Sequence, residues 1–157
     1  MHVKSTPIKD SYLIAYSRNL AYELKISDSI MNSADMLKLL SAVPLNSRTW
    51  VCPYALSIYG KEIYDNCKDN KDQCYGDGRC VSVAELSINN KRYELQLKGS
   101  GTTPFSRSGD GRAILRSSIR EYIVSEAMHN LNVSTTRALS LVISNSEKVN
   151  RMWYKNT

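Results

Sequence analysis

The sequence has no apolar run approaching the ~18 residues that a membrane-spanning helix needs. Its uninterrupted apolar stretches are short, as in Leu141-Val142-Ile143, and a helical integral membrane protein is excluded. It has no Cys-x-x-Cys pair. The four cysteines, Cys52, Cys67, Cys74 and Cys80, are spaced 15, 7 and 6 apart, and His2 and His129 lie far from them in sequence. Such spacing argues against a zinc site. The N-terminus shows neither the apolar segment nor the small-residue cleavage site of a secretory signal. Free thiols in a reducing, intracellular compartment are therefore expected. Mitochondrion and cytoplasm both stay open: residues 1–25 are mildly basic, but Asp10 and Glu23 weaken a transit-peptide reading. No Ser/His/Asp arrangement for nucleophilic catalysis can be assembled.

What is present fits one globular domain of 157 residues, 42% apolar and 23% charged. The net charge of +6 is unevenly placed. Residues 1–78 hold 9 basic and 9 acidic side chains, whereas residues 79–157 hold 12 and 6. Lys98, Arg107, Arg112, Arg116 and Arg120 face Asp110 alone within residues 98–120. That density suggests a phosphate-bearing partner such as a nucleotide, a nucleic acid or an anionic membrane. The competing reading is a solvated basic helix face.

Leu13, Tyr16, Leu20 and Leu24 recur at helical spacing, so an amphipathic helix is expected over roughly 11–25. Ser33 is placed to cap a second helix carrying Met36, Leu37 and Leu40, ending before Pro44. Val51 to Tyr59 reads as a strand and residues 60–75 as a polar loop. Val81 to Ile88 is rich in β-branched residues, Asn89-Asn90 is a turn signal, and Tyr93 to Lys98 alternates strictly. A β-hairpin is expected, with Tyr93, Leu95 and Leu97 on one face and Glu94, Gln96 and Lys98 on the other. A Gly/Ser/Thr-rich loop spans 99–111. A helix is expected from about Arg112 to Asn130, with an apolar stripe of Leu115, Ile119, Tyr122, Ile123 and Ala127. Thr135 to Ile143 reads as a further strand. The expected organisation is a helical extension over 1–50, a nucleotide-binding lobe over 51–143, and a polar tail over 144–157.

The tetrapeptide Gly-Asp-Gly-Arg occurs at 76–79 and again at 109–112. Glycines let backbone N–H groups approach an anion, and the arginine adds a planar donor fork. The second copy opens a helix, whose free N–H groups favour phosphate. Either copy alone is equally a tight turn. Lys98 ends a strand on its polar face, and Glu121 follows on the next helix, turned away from Ile119 and Ile123. Lys98 then reads either as an exposed edge-strand lysine or as a phosphate-binding lysine held by Glu121. The order of glycine turn, strand, turn, strand ending in Lys, and helix bearing Glu is that of a protein-kinase small lobe. Neither a His-Arg-Asp nor an Asp-Phe-Gly run occurs, so the other half of a kinase-type site is not visible.

Across residues 93–142 the chain resembles the selenoprotein O family. The shared runs are Leu-Gln-Leu-Lys-Gly, Thr-Pro-aromatic-Ser-Arg, Asp-Gly-Arg-Ala, Leu-Arg-Ser-Ser-Ile-Arg-Glu, Ser-Glu-Ala-Met and Thr-Thr-Arg-Ala-Leu-Ser-Leu-Val. Weaker similarity reaches upstream through Gly76–Arg79 and Pro53-Tyr54-Ala55 to Asn19-Leu20-Ala21. The resemblance implies an α+β, kinase-like small lobe, with an antiparallel sheet, a Glu-bearing helix and added N-terminal helices. It implies protein adenylylation, in which AMP passes from ATP to Ser, Thr or Tyr hydroxyls of protein substrates. It implies that Gly76, Gly78, Arg79, Lys98, Asp110 and Gly111 contact ATP and that Glu121 pairs with Lys98. The family's Gly-His-Gln-Phe-Gly stretch is replaced here by a longer charged segment before Gly76. The family is also several times longer. Its catalytic aspartate and Mg²⁺ ligands are expected beyond residue 157, so no catalytic or metal residue is assigned here. An N-terminal fragment is expected, inactive in AMP transfer by itself. The rivals are a basic nucleic-acid-binding module and a catalytically dead remnant acting through protein contacts. Nucleic acid is disfavoured, because Phe105 is the sole aromatic within 98–120 and a stacking platform is poorly supplied.

Overall fold

A computed structural model describes residues 4–43, 79–103, 106 and 109–151. The expected strand over 51–59, the polar loop over 60–75, Gly76 and Gly78 lie outside the described residues, as do Arg107 and Phe105. The described chain is α+β, and its strands form two antiparallel two-stranded sheets. The first pairs β1 (Ser11–Tyr16) with β4 (Ser140–Ser144). The second pairs β2 (Cys80–Ile88) with β3 (Lys91–Lys98). Between β1 and β2 lie α1 (Arg18–Glu23), α2 (Asp28–Met31) and α3 (Ala34–Leu40). The long helix α4 (Leu115–Asn130) stands between β3 and β4. No helix of the described residues is long and apolar enough to cross a membrane.

The helix expected over 11–25 is instead a strand followed by a helix. Residues 11–16 alternate, with Tyr12 and Ile14 exposed and Leu13 and Ala15 half-buried, and they find a partner in β4. Ser17 then breaks the strand. Its hydroxyl accepts from the Leu20 N–H at 3.3 Å and caps α1. Leu13, Tyr16, Leu20 and Leu24 still reach one core, but from two elements rather than one helix face. The region expected as a helical extension thus carries α1 to α3, yet opens with a strand whose partner lies at residues 140–144. Ser33 caps α3, accepting from the Met36 N–H at 3.2 Å.

The hairpin follows its sequence pattern. Asn89 and Asn90 both take positive φ, 50° and 62°, the conformation of a tight turn matched to strand twist. A bulge between Ser82 and Ala84 offsets the register. Leu97 is buried, Tyr93 and Leu95 are half-buried, and Glu94, Gln96 and Lys98 are exposed. The core gathers Leu20, Ala21, Leu24, Met31, Leu40 and Leu139, with Tyr93 and Leu95 packed against it from the hairpin.

Helix α4 departs from expectation. It starts at Leu115 rather than Arg112, and no residue in it is fully buried. Leu115, Ile119 and Ile123 are exposed. The half-buried face is mostly polar: Ser117, Ser118, Tyr122, Ser125 and Glu126. The reason lies in what that face meets. Ser125 Oγ accepts from the Ala138 N–H at 3.2 Å, and Glu126 takes hydrogen bonds from Arg137 and Ser17. Hydrogen bonds to the segment before β4, not apolar packing, orient the helix.

Candidate functional site

Strict alternation along β3 delivers Lys98 to the strand end on the polar side. Register sets Cys80 opposite Lys98, and the Gly99 N–H donates to the Arg79 carbonyl at 2.8 Å. Arg79 therefore stands at the neighbouring strand end. Glu121 projects from the second turn of α4. Lys98 Nζ donates to both carboxylate oxygens of Glu121, at 2.8 Å to Oε1 and 2.6 Å to Oε2. The side chains remain 43% and 51% exposed. An ion pair so exposed stabilises a fold by no more than about 1 kcal/mol, so fold stability does not account for the pair. An open groove of about 1240 Å³ is walled by the hairpin, α4, β4 and the segment before it, and reaches α1 and α3, with Arg79, Lys98, Glu121 and Arg120 among its lining residues.

Behind the pair the chain turns at Gly99 and Gly101, with φ of 97° and 111°, and Gly111 lies across it with φ of 67°. The Gly101 N–H points at the Gly111 carbonyl, 3.4 Å away. Asp110 does not join Lys98. Its carboxylate accepts from the Arg112 N–H at 2.9 Å and from both terminal nitrogens of Arg151, at 2.8 and 3.0 Å. The Arg151 guanidinium holds the Asp110 carboxyl below the usual range; partial burial opposes this, and the Arg112 N–H assists.

Arg112 also lines the groove, but its guanidinium is engaged there. From Nη1 it donates to the carbonyls of Thr6 at 2.9 Å and Gly99 at 3.2 Å, and from Nη2 to that of Pro7 at 3.1 Å. It also lies 3.1 Å from a Glu147 carboxylate oxygen. The second Gly-Asp-Gly-Arg thus fastens three chain segments together, ahead of the helix rather than within its first turn. Among the described residues no three His, Cys, Asp or Glu side chains assemble as a metal site.

The family model of protein adenylyltransferase SelO matches residues 1–153. The chain belongs to the SelO family. A protein nucleotidyltransferase YdiU from Xanthomonas oryzae pv. oryzae (strain PXO99A) is 43% identical over 153 residues, which are 97% of this chain and 28% of that protein. The YdiU of Xanthomonas euvesicatoria pv. vesicatoria (strain 85-10) is 42% identical over the same length and shares of each chain. That of Burkholderia thailandensis is 40% identical over 148 residues, 92% of this chain and 27% of the relative. The chain therefore spans little more than a quarter of the length of these curated SelO-family relatives.

Sequence reasoning missed a second polar cluster. Arg137 grips Glu126 through two hydrogen bonds, from Nε at 3.0 Å and Nη2 at 3.1 Å, and reaches Glu23 from Nη1 at 2.8 Å. Arg137 and Glu126 both lie in runs shared with the SelO family, but neither has a periodic partner to mark it. Hydrogen bonds from Arg137 hold the Glu126 carboxyl below its ordinary value; partial burial opposes, and the Ser17 hydroxyl adds to the lowering. A carboxyl depressed on folding contributes stability that is complete above the ordinary carboxylate range and is lost as pH falls through the folded value. Wild-type protein is therefore expected to lose thermal stability on acidification more steeply than Glu126→Gln. Melting curves across an acid pH series check this, and parallel curves would contradict it.

Proposed function

We propose that this chain is the ATP-holding, kinase-like small lobe of a protein adenylyltransferase. The observation that carries the reading is the two-pronged Lys98–Glu121 pair, exposed at the groove and joining a strand end to a helix. Lys98 would neutralise a phosphate oxygen of ATP, and Glu121 would keep the ammonium in place. Arg79 is near enough in register to share the polyphosphate charge. Gly76 and Gly78, outside the described residues, are assigned to the nucleotide on the family resemblance alone. Asp110 and Gly111, which the family resemblance assigns to ATP, do not line this groove; their part in the reading is to hold the corner behind Lys98, with Asp110 fastened to Arg151.

In the reaction proposed for the full-length protein, the oxygen of a Ser, Thr or Tyr hydroxyl forms a bond to the α-phosphorus of ATP. The bond from that phosphorus to the bridging oxygen breaks. Pyrophosphate leaves and the hydroxyl proton is released. The residues of this chain contribute positioning and charge stabilisation. Mg²⁺, supplied with ATP and held by elements outside the described residues, would add further charge neutralisation.

The test is a binding comparison over a salt series, using ATP and a single-stranded oligonucleotide. ATP should bind saturably and in competition with the oligonucleotide. Oligonucleotide binding that falls steeply with salt, with no competition by ATP, would favour a nucleic-acid module instead.

A further inference from the structure

We propose that Arg137 is a positioning residue for the Lys98–Glu121 pair, an inference that rests on the ATP-binding reading above. The argument begins with what the pair cannot do. Two half-exposed side chains do not fix the helix and strand that carry them. A second set of contacts joins the same two elements, and it is less exposed at Arg137 and Glu126, at 13% and 22%, though not at Glu23, at 43%. Tyr93 precedes Lys98 by five residues on β3, and Glu126 follows Glu121 by five on α4. Tyr93 Oη donates to Glu23 Oε1 at 3.1 Å. Glu23 Oε2 accepts from Arg137, whose fork closes on Glu126. Ser17 Oγ donates to Glu126 Oε2 at 2.9 Å. The Arg137 side chain is only 13% exposed.

The strand and helix are thus joined twice, once directly by Lys98–Glu121 and once through Tyr93, Glu23, Arg137 and Glu126. A planar guanidinium holding a carboxylate by two parallel bonds fixes direction as well as distance. Glu121 and Glu126 are roughly 140° apart around the helix at ~100° per residue. Anchoring Glu126 therefore fixes the rotation of α4 about its axis, and with it the direction in which Glu121 meets Lys98. Lysine at 137 would keep the charge and lose the fork.

The experiment measures ATP affinity of the full chain for wild type, Arg137→Lys, Glu121→Gln and the double variant, with folding followed by near-ultraviolet circular dichroism and melting temperature. Arg137→Lys should weaken ATP binding roughly three- to tenfold in the wild-type background and have little effect in the Glu121→Gln background, as expected of coupled residues. A residue serving stability alone would lower the melting temperature in both backgrounds and leave the affinity of the folded protein unchanged. That result, or an equal loss of affinity in both backgrounds, overturns the inference while the ATP-binding reading stands. If Glu121→Gln itself leaves affinity unchanged, the inference fails while ATP binding stands; if wild type binds no ATP, the ATP-binding reading fails and the inference with it. Should Arg137→Lys fail to fold, Tyr93→Phe carries the same comparison. It removes one hydroxyl from the chain of contacts and should weaken binding about twofold, again only where Glu121 is present.

Discussion

Gly111→Ala is expected to destabilise the protein by at least about 2 kcal/mol in chemical denaturation, since a strained backbone conformation alone costs ~1–3 kcal/mol. Gly111 is buried and its φ of 67° lies in the left-handed region that glycine adopts freely. A Cβ there would overlap the carbonyl of Gly101, where the two backbones cross. The Gly101 segment is held on its far side by Thr6, whose N–H donates to the Ser100 carbonyl at 2.7 Å. A Cβ at Gly101 would already lie 2.5 Å from Thr6 Oγ1, and one at Gly99 would lie 2.9 Å from the Ala113 Cβ. The corner that carries Lys98 into α4 is therefore a close crossing of two backbones, with Thr6 packed on Gly101 and Ala113 on Gly99. A loss within about 0.5 kcal/mol, the usual range for a neutral surface change, would show that the corner is looser than described.

Arg112→Met should cost about 1–3 kcal/mol, the range for leaving partly buried hydrogen-bonding groups without their partner. The substitution keeps much of the aliphatic stem and removes the fork. Thr6, Pro7 and Gly99 each lose a donor to a backbone carbonyl, and Glu147 loses its cation. The Arg112 side chain is 15% exposed and that of Glu147 25%, so water restores these contacts only in part. Arg112→Lys should recover some of the loss, because one ammonium cannot serve the same spread of acceptors. Urea denaturation midpoints compare the three proteins. Equal midpoints for Arg112→Met and wild type would contradict the bracket role.

These two effects mark where the sequence is informative and where it falls silent. The hairpin is legible because alternation from Tyr93 to Lys98 has a period of two and Asn89-Asn90 supplies the turn; both are local properties. The meeting of Lys98 with Glu121 is legible as an order of elements, and the family resemblance sharpens it. The strand Ser11–Tyr16 is not legible, because Leu13, Tyr16, Leu20 and Leu24 satisfy a helical period and also a strand that feeds a capped helix. What decides is β4, more than a hundred residues away in sequence. The same holds for the arginines. Arg112, Arg137 and Arg151 find their acceptors on segments that only tertiary approach brings near, and no spacing rule reports that. The apolar stripe on α4 is real in sequence, yet among the described residues the helix turns its serines and Glu126 inward, drawn by hydrogen bonds to residues 137 and 138.

The most direct measurement is calorimetric titration of ATP into the wild-type chain and Lys98→Ala. Saturable binding by wild type and at least tenfold weaker binding by the variant, a difference of about 1.4 kcal/mol, are expected. Melting temperatures should stay close, because so exposed a pair adds little stability. Equal affinity in the two proteins, or no binding by either, would contradict the assignment of Lys98 to the nucleotide.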